Sequence, residues 1–283
     1  MRILILGGDG MLGHQVFQYL RNRQEVRATL RRPLAQYSAH KLFDAHNAYD
    51  EVDVRDFDRV RNALSDFRPD AVVNAIGVIK QRSASSQNVP SIEINALFPH
   101  KLSAYCRDTG VRLVHLSTDC VFSGQRGHYS ESDAPDAEDI YGRSKLLGEI
   151  TEAPAITLRT SIIGRELSRK TGLLEWFLAQ TAPIKGYRKA IFSGFTTLEM
   201  SHIIERILTH SVLRHGLYHV SSAPINKHDL LKLIRDKLGL LTEITADDVF
   251  ECDRSLDSTR FRQDFVYAPP TWDHMISELA DRA

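Results

Sequence analysis

The chain has few cysteines, no long apolar run and no net charge, and each shortage closes a class of function. Cys106, Cys120 and Cys252 are odd in number, far apart in the 283 residues and never spaced as C-x-x-C. That excludes a disulfide framework and fits a reducing compartment. No run approaches the length of a membrane-spanning helix, and the opening "MRILILGGDG" enters a glycine turn without the apolar stretch of a signal peptide. A cytoplasmic protein with no membrane partner is expected. Thirty-six basic residues balance 36 acidic ones, so no global field draws in nucleic acid. Neither a G-x-S-x-G nucleophile turn nor a P-loop lysine after the glycines is present. Twelve histidines include a dense group, His210, His215 and His219, but no cysteine or carboxylate completes a ligand set, and no metal site is expected.

What is present is alternation. Short β-rich runs at 2–6, 25–30, 49–54, 70–77, 111–118 and 155–164 are separated by amphipathic helical patterns, among them "MLGHQVFQYLRNR", "DFDRVRNALSDF" and "NALFPHKLSAYCRDTG". Continuous apolar strands with helices between them imply a parallel sheet covered on both faces, an α/β doubly wound sheet of Rossmann type. Beyond residue 165 the pattern loosens. Two helical patterns, "GLLEWFLAQ" and "LEMSHIIERILTH", flank an irregular stretch over 181–197. A strand follows at 216–222 and a helix at 226–240 with Asn226 as its N-cap. The expected division is a dinucleotide-binding domain over 1–165, completed by 196–218, and a smaller α/β substrate-binding cap over 166–283 with an interleaved boundary.

The segment "GGDGMLG" (7–13) sets Gly7, Gly10 and Gly13 at three-residue intervals after a strand and at the opening of a helix. A tight turn, close approach of a pyrophosphate and helix–strand packing each need a missing side chain. The helix start, with Met11 and Leu12, offers unpaired N–H groups to phosphate charge. The second strand ends in "TLRRP", so Arg31 and Arg32 stand where an NAD site usually keeps an acid. Two guanidiniums suit a 2′-phosphate. NADP(H) is therefore the favoured cofactor and NAD(H) the other option. Asp53, after the third strand with Val54 beside it, is a candidate acceptor for the adenine amino group.

In "EDIYGRSKLLGE" (138–149), Tyr141 and Lys145 lie one helical turn apart on one face, and both have reference pKa values near 10. Spacing alone leaves open a surface accident or a proton donor with its tuner. The strand "VRLVHLST" ends in Ser117–Thr118–Asp119, at the carboxyl end where parallel sheets bind ligands.

Thr118, Tyr141 and Lys145 in this order, after an N-terminal glycine turn, resemble the extended short-chain dehydrogenase/reductases. "STDCVFSG", "YGRSKLLGE", "LDSTRF" and "YAPPTW" resemble the nucleotide-sugar reductases typified by dTDP-4-dehydrorhamnose reductase. "NAIGVIKQ" (74–81) and Cys120, which stands where a tyrosine is usual, depart from that pattern. The resemblance implies NADP(H)-dependent reduction of the 4-keto group of a nucleotide-linked 6-deoxy sugar, in deoxysugar and polysaccharide biosynthesis. Tyr141 would protonate the developing alkoxide. Lys145 would lower the Tyr141 pKa and hold the nicotinamide ribose, and Thr118 would hold the carbonyl oxygen. Asn74, Ala75 and Gly77 would line the cofactor, with Asn95 bracing the site. Asp119 would bind a sugar hydroxyl or orient its loop. Phe122 would stack on substrate or pack internally. Lys185 and Arg188, with "FSGF" (192–195), would meet the diphosphate and base or form a solvated loop. A homodimer is the assembly common to this fold. A dehydratase is disfavoured because no glutamate follows Thr118–Asp119. An epimerase, and a non-catalytic subunit like that of methionine adenosyltransferase, remain the alternatives.

Overall fold

The computed structural model describes residues 1–78, 88–168 and 170–281; the last three residues of the 74–81 run lie outside them. Seven parallel strands form one sheet: β1 (Arg2–Leu6), β2 (Glu25–Thr29), β3 (Ala48–Tyr49), β4 (Ala71–Asn74), β5 (Arg112–Leu116), β6 (Ala155–Arg159) and β10 (Gly216–His219). Their spatial order is β10-β6-β5-β4-β1-β2-β3. Alternate residues feed opposite faces. Ile3 and Ile5 enter one core with Val16 and Phe17 of α1 (Met11–Leu20), while Leu4 and Leu6 enter another with Val60 and Leu64 of α2 (Phe57–Phe67). A sheet with both faces apolar must be covered on both sides, and that is what the near-continuous apolar strands encode. β1 lies between β2 and β4, so successive crossovers leave it in opposite directions and open a crevice at the strand ends, the usual ligand position of such sheets.

Other elements sit around this frame. A short α3 (Asn88–Ser91) and a π-helical turn, Ile92–Leu97, lead into α4 (Phe98–Thr109). α5 (Ile140–Leu147) carries the tyrosine–lysine pair and starts at Asp139, whose carboxylate accepts from Gly142 N at 2.8 Å. After β7 (Ile162–Ile163) and α6 (Leu173–Leu178), the chain forms β8 (Ile184–Phe192). β8 is flanked by β11 (Ile225–Asn226) and β12 (Ile244–Asp253) in a three-stranded sheet. β9 (Phe195–Thr196) pairs with β7, and α7 (Thr197–Thr209) packs on α1 before β10 joins the large sheet beside β6. α8 (Lys227–Leu238) lies against β8; Asn226 caps it by accepting from Asp229 N at 2.8 Å. α9 (Thr259–Asp264) and α10 (Trp272–Ala280) end the described chain.

Two expectations need correction. The third strand is two residues long, because beyond Tyr49 the backbone turns at Glu51 with φ 54°. The stretch over 181–197 is not irregular: its centre is the nine-residue β8. Three of those nine side chains are basic: Lys185 and Lys189 lie on the face opposite the buried Ile184, Ala190 and Phe192, while Arg188 shares their face but is exposed near the middle of the strand.

Candidate active site

The crevice at the carboxyl ends of the strands is a cleft of about 750 Å³, within the range of small-molecule and cofactor sites. Gly7, Gly10, Met11 and Leu12 line one end; Thr118, Asp119, Cys120, Tyr141 and Lys145 line the chemical part. The glycine turn is built for close approach. Gly7 has φ 81°, and Gly10 N donates to Gly7 O at 3.0 Å. A Cβ on Gly13 would stand 2.0 Å from Gly7 O, so α1 is packed onto the turn as only glycine permits. Gly13 therefore lies behind the cleft wall rather than on it. α1 has no side-chain cap and no acid in its first turn, which leaves its first N–H groups available to an anion.

Arg31 and Arg32 line the cleft at the end of β2, and Arg32 Nη1 donates to Gln36 Oε1 at 3.4 Å. Asp53 and Val54 also line it. Both Asp53 oxygens accept from Arg55, at 3.0 Å (Nε–Oδ1) and 2.5 Å (Nη2–Oδ2), and this hydrogen bonding holds the carboxyl below its usual range. Ala75 and Gly77 line the cleft. Asn74 does not. It is fully buried, accepts from Ile76 N at 3.2 Å and donates to His115 Nδ1 at 3.1 Å, so it shapes the turn after β4 from below. Asn95, also fully buried, accepts from Val78 N at 2.8 Å and donates to Ser144 Oγ at 3.1 Å. It thereby ties the turn after β4 to α5.

The hydroxyl of Thr118 accepts from Cys120 N at 3.1 Å and donates to Asp119 Oδ1 at 3.2 Å. It is also within hydrogen-bonding reach of Tyr141, an interaction that lowers the phenol's pKa. Burial dominates and pushes Tyr141 above its ordinary value. Lys145 Nζ donates to Leu116 O at 2.5 Å, and burial brings its pKa down to about 8 against the opposing field of Glu149. α5 approaches the Asp119–Val121 turn so closely that a Cβ on Gly142 would fall 2.3 Å from Cys120 O. Burial raises the Asp119 carboxyl, opposed first by the field of Arg254. The arrangement sets a phenol and a buried amine one helical turn apart on α5, both lining the cleft that the glycine turn closes at its other end.

Three candidates are corrected. Phe122 is fully buried and stacks on Tyr129 with centroids 4.1 Å apart; it packs and does not face the cleft. Lys185 pairs with Asp247 at 3.0 Å and Arg188 with Asp248 at 3.5 Å, both side chains exposed and outside the cleft lining. Neighbouring acids on β12 neutralise them, so they form a salt-bridged surface instead of a diphosphate clamp. Phe192 and Phe195 of the "FSGF" segment are buried. Sequence reasoning missed Asp9, Arg55, Glu166 and Ser168, which line the cleft from loops. Asp9 is held by the Tyr37 hydroxyl at 2.7 Å, and Glu166 accepts from Gly172 N at 2.8 Å. No group of three or more metal-ligating side chains occurs among the described residues, and no helix among them is long and apolar enough to cross a membrane.

The RmlD substrate binding domain profile matches residues 1–170. The chain belongs to that family, within the extended short-chain dehydrogenase/reductases. It is 25% identical to a dTDP-4-dehydrorhamnose reductase of Aggregatibacter actinomycetemcomitans over 98% of both chains. It is 31% identical to a probable low-salt glycan biosynthesis reductase of Haloferax volcanii, over 53% of this chain and 48% of that relative. The fold matches a dTDP-4-dehydrorhamnose reductase from Bacillus anthracis solved in complex with NADP, at a TM-score of 0.78 and 18% identity, covering 100% of this chain and 99% of that one.

Proposed function

We propose that this protein is an NADP(H)-dependent reductase of the 4-keto group of a nucleotide-linked 6-deoxy sugar. One observation carries the reading: Thr118, Tyr141 and Lys145 line the same cleft as the Gly7–Gly10 turn and the Arg31–Arg32 pair. The cleft fits a dinucleotide in its own terms. Side chains at Gly7 or Gly13 would collide with its walls, the uncapped start of α1 meets its floor, and two arginines stand where a 2′-phosphate would require them. The names of the relatives, reductases of dTDP-linked sugars among them, support the substrate class.

The bound nicotinamide would supply the hydride. The chain's residues do the rest. Thr118 would turn its hydroxyl proton, donated to Asp119 in this structure, to the carbonyl oxygen, and Tyr141 would give its proton to that oxygen as negative charge develops. Charged Lys145 would favour the phenolate so formed and would donate to the ribose hydroxyls of the cofactor. Asp119, so released by Thr118, would accept from a sugar hydroxyl. Residues 1–165, with 196–218, hold the dinucleotide, and the remainder of 166–283 covers the substrate side. That division is supported by α7 and β10 rejoining the large sheet.

The test is oxidation of NADPH and of NADH with a panel of dTDP-, UDP- and GDP-linked 4-keto-6-deoxy sugars. Oxidation with one member, faster with NADPH, is the expected result. Tight NADPH binding with no oxidation by any sugar would contradict the proposal.

A further inference from the structure

Behind the Tyr141–Lys145 face lies an ion pair that does not line the cleft. Glu149 follows α5 by two residues and Arg159 ends β6. Glu149 Oε1 accepts from Ser117 Oγ at 2.6 Å and from Arg159 Nε at 2.8 Å, and Oε2 accepts from Arg159 Nη2 at 2.8 Å. The two side chains are only 7% and 3% exposed. Arg159 Nη1 donates to His219 Nε2 at 3.2 Å, while His219 Nδ1 donates to Tyr129 O at 3.0 Å. His219 is thus a neutral imidazole. The guanidinium lies 5.2 Å from the ring centroid of Phe122. The pair therefore gathers the ends of β5, α5, β6 and β10 under the cleft.

Stability is a poor explanation for it. Withdrawing two charges from water is costly, and apolar side chains of similar volume often hold such a site equally well. Position is more telling. Ser117 lines the cleft between Leu116, whose carbonyl accepts from Lys145, and Thr118. His115 on β5 feels the charge of Lys145 and that of His100, and Tyr141 precedes Lys145 by one turn of α5 in the same cleft lining. His115 is held neutral by burial and by the charge of Lys145 itself. Glu149 is the neighbour whose field favours the ammonium against burial.

We infer that Glu149 and Arg159 are positioning residues whose buried pair anchors the Ser117–Thr118 edge and whose two opposed charges balance the field at Lys145 while the site is in use. The inference rests on the reading of Lys145 as a cofactor-holding group. It carries a directional consequence. Removing the Glu149 charge leaves Arg159 uncompensated, and both changes disfavour a charged Lys145. Removing the Arg159 charge leaves Glu149 unopposed and favours it. The two single substitutions must therefore act in opposite directions, by roughly one pH unit each for charges at this depth.

The experiment is the pH dependence of NADPH affinity, read from cofactor fluorescence, for wild type, Glu149→Gln and Arg159→Met. Wild-type affinity should decline as pH rises through about 8, where Lys145 loses its proton. Glu149→Gln should move the decline to lower pH and Arg159→Met to higher pH. If one variant does not fold, the direction of the other decides. Profiles that stay at the wild-type position, or that move the same way, overturn the inference while leaving the cofactor reading intact. Wild-type protein that binds no NADPH overturns both.

Discussion

Replacing Gly13 by alanine separates a conformational role from a packing role in one measurement. Gly13 lies inside α1, where alanine in place of glycine would ordinarily stabilise by about 1 kcal/mol. Here the added Cβ would meet Gly7 O at 2.0 Å, Gly7 C at 2.7 Å and Gly8 Cα at 3.1 Å. All three are backbone atoms of the glycine turn, so no flexible side chain can yield. Relief requires α1 to move by roughly 1 Å from the turn while Val16, Phe17 and Leu20 keep it in the core. Overpacking of this kind costs about 1–3 kcal/mol, and the rigid contact places it at the upper end. Subtracting the helix gain leaves a net loss of about 2 kcal/mol, or a drop in Tm of about 4–8 °C for a chain of this size. NADPH affinity should fall further than stability, since the displaced atoms form the turn that would hold the pyrophosphate. Thermal unfolding and calorimetric titration measure the two effects. A raised Tm with unchanged NADPH affinity would refute the packing argument.

Other consequences are as direct. Tyr141→Phe should retain NADPH binding and lose about 10²–10⁴-fold in kcat, the usual contribution of a positioned general acid; single-turnover kinetics would show it, and unchanged turnover would remove Tyr141 as the acid. Exchanging Arg31 and Arg32 together for alanine should weaken NADPH by about 10²–10⁴-fold, two charge-assisted contacts being lost, while NADH binding changes little; equal losses for both cofactors would place the 2′-phosphate elsewhere. His219 has its pKa lowered to about 4, first by burial and then by Arg159. The unfolded chain therefore takes up this proton near pH 6.5 and the folded chain only near 4. Its contribution, about 3 kcal/mol, is complete above pH 6.5 and is lost as pH falls towards 4, and His219→Gln should flatten that part of a Tm–pH curve.

The parts of the fold written in apolar periodicity were legible in advance. β1, α1, α2, β4, β5 and β6 fall where strands and helices were expected, because each is buried on a face its pattern declares. β8 and β12 were not legible. "KGYRK" in β8 and "ADDV" in β12 carry charges that pair across strands, as Lys185 does with Asp247, and a solvated sheet face hides the alternation. The cleft divides in the same way. Gly7, Gly10, Thr118, Tyr141 and Lys145 stand at strand ends and on one helix, where spacing dictates their company. Asp9, Arg55, Glu166 and Ser168 reach the cleft from loops, whose course no periodicity encodes. Glu149 and Arg159 were visible as residues, but their pairing depends on the ends of α5 and β6 meeting under the site.

In the proposed reaction, hydride passes from cofactor to sugar at the Tyr141–Lys145 cleft. The most direct measurement is a reaction of the protein with NADPH deuterated at the transferring position of the nicotinamide and the keto sugar that supports turnover. Mass spectrometry and NMR of the product should find one deuterium on the former carbonyl carbon, and Tyr141→Phe should form the same labelled product about 10²–10⁴-fold more slowly. Product without deuterium at that carbon, or labelled product formed by Tyr141→Phe at the wild-type rate, would contradict it.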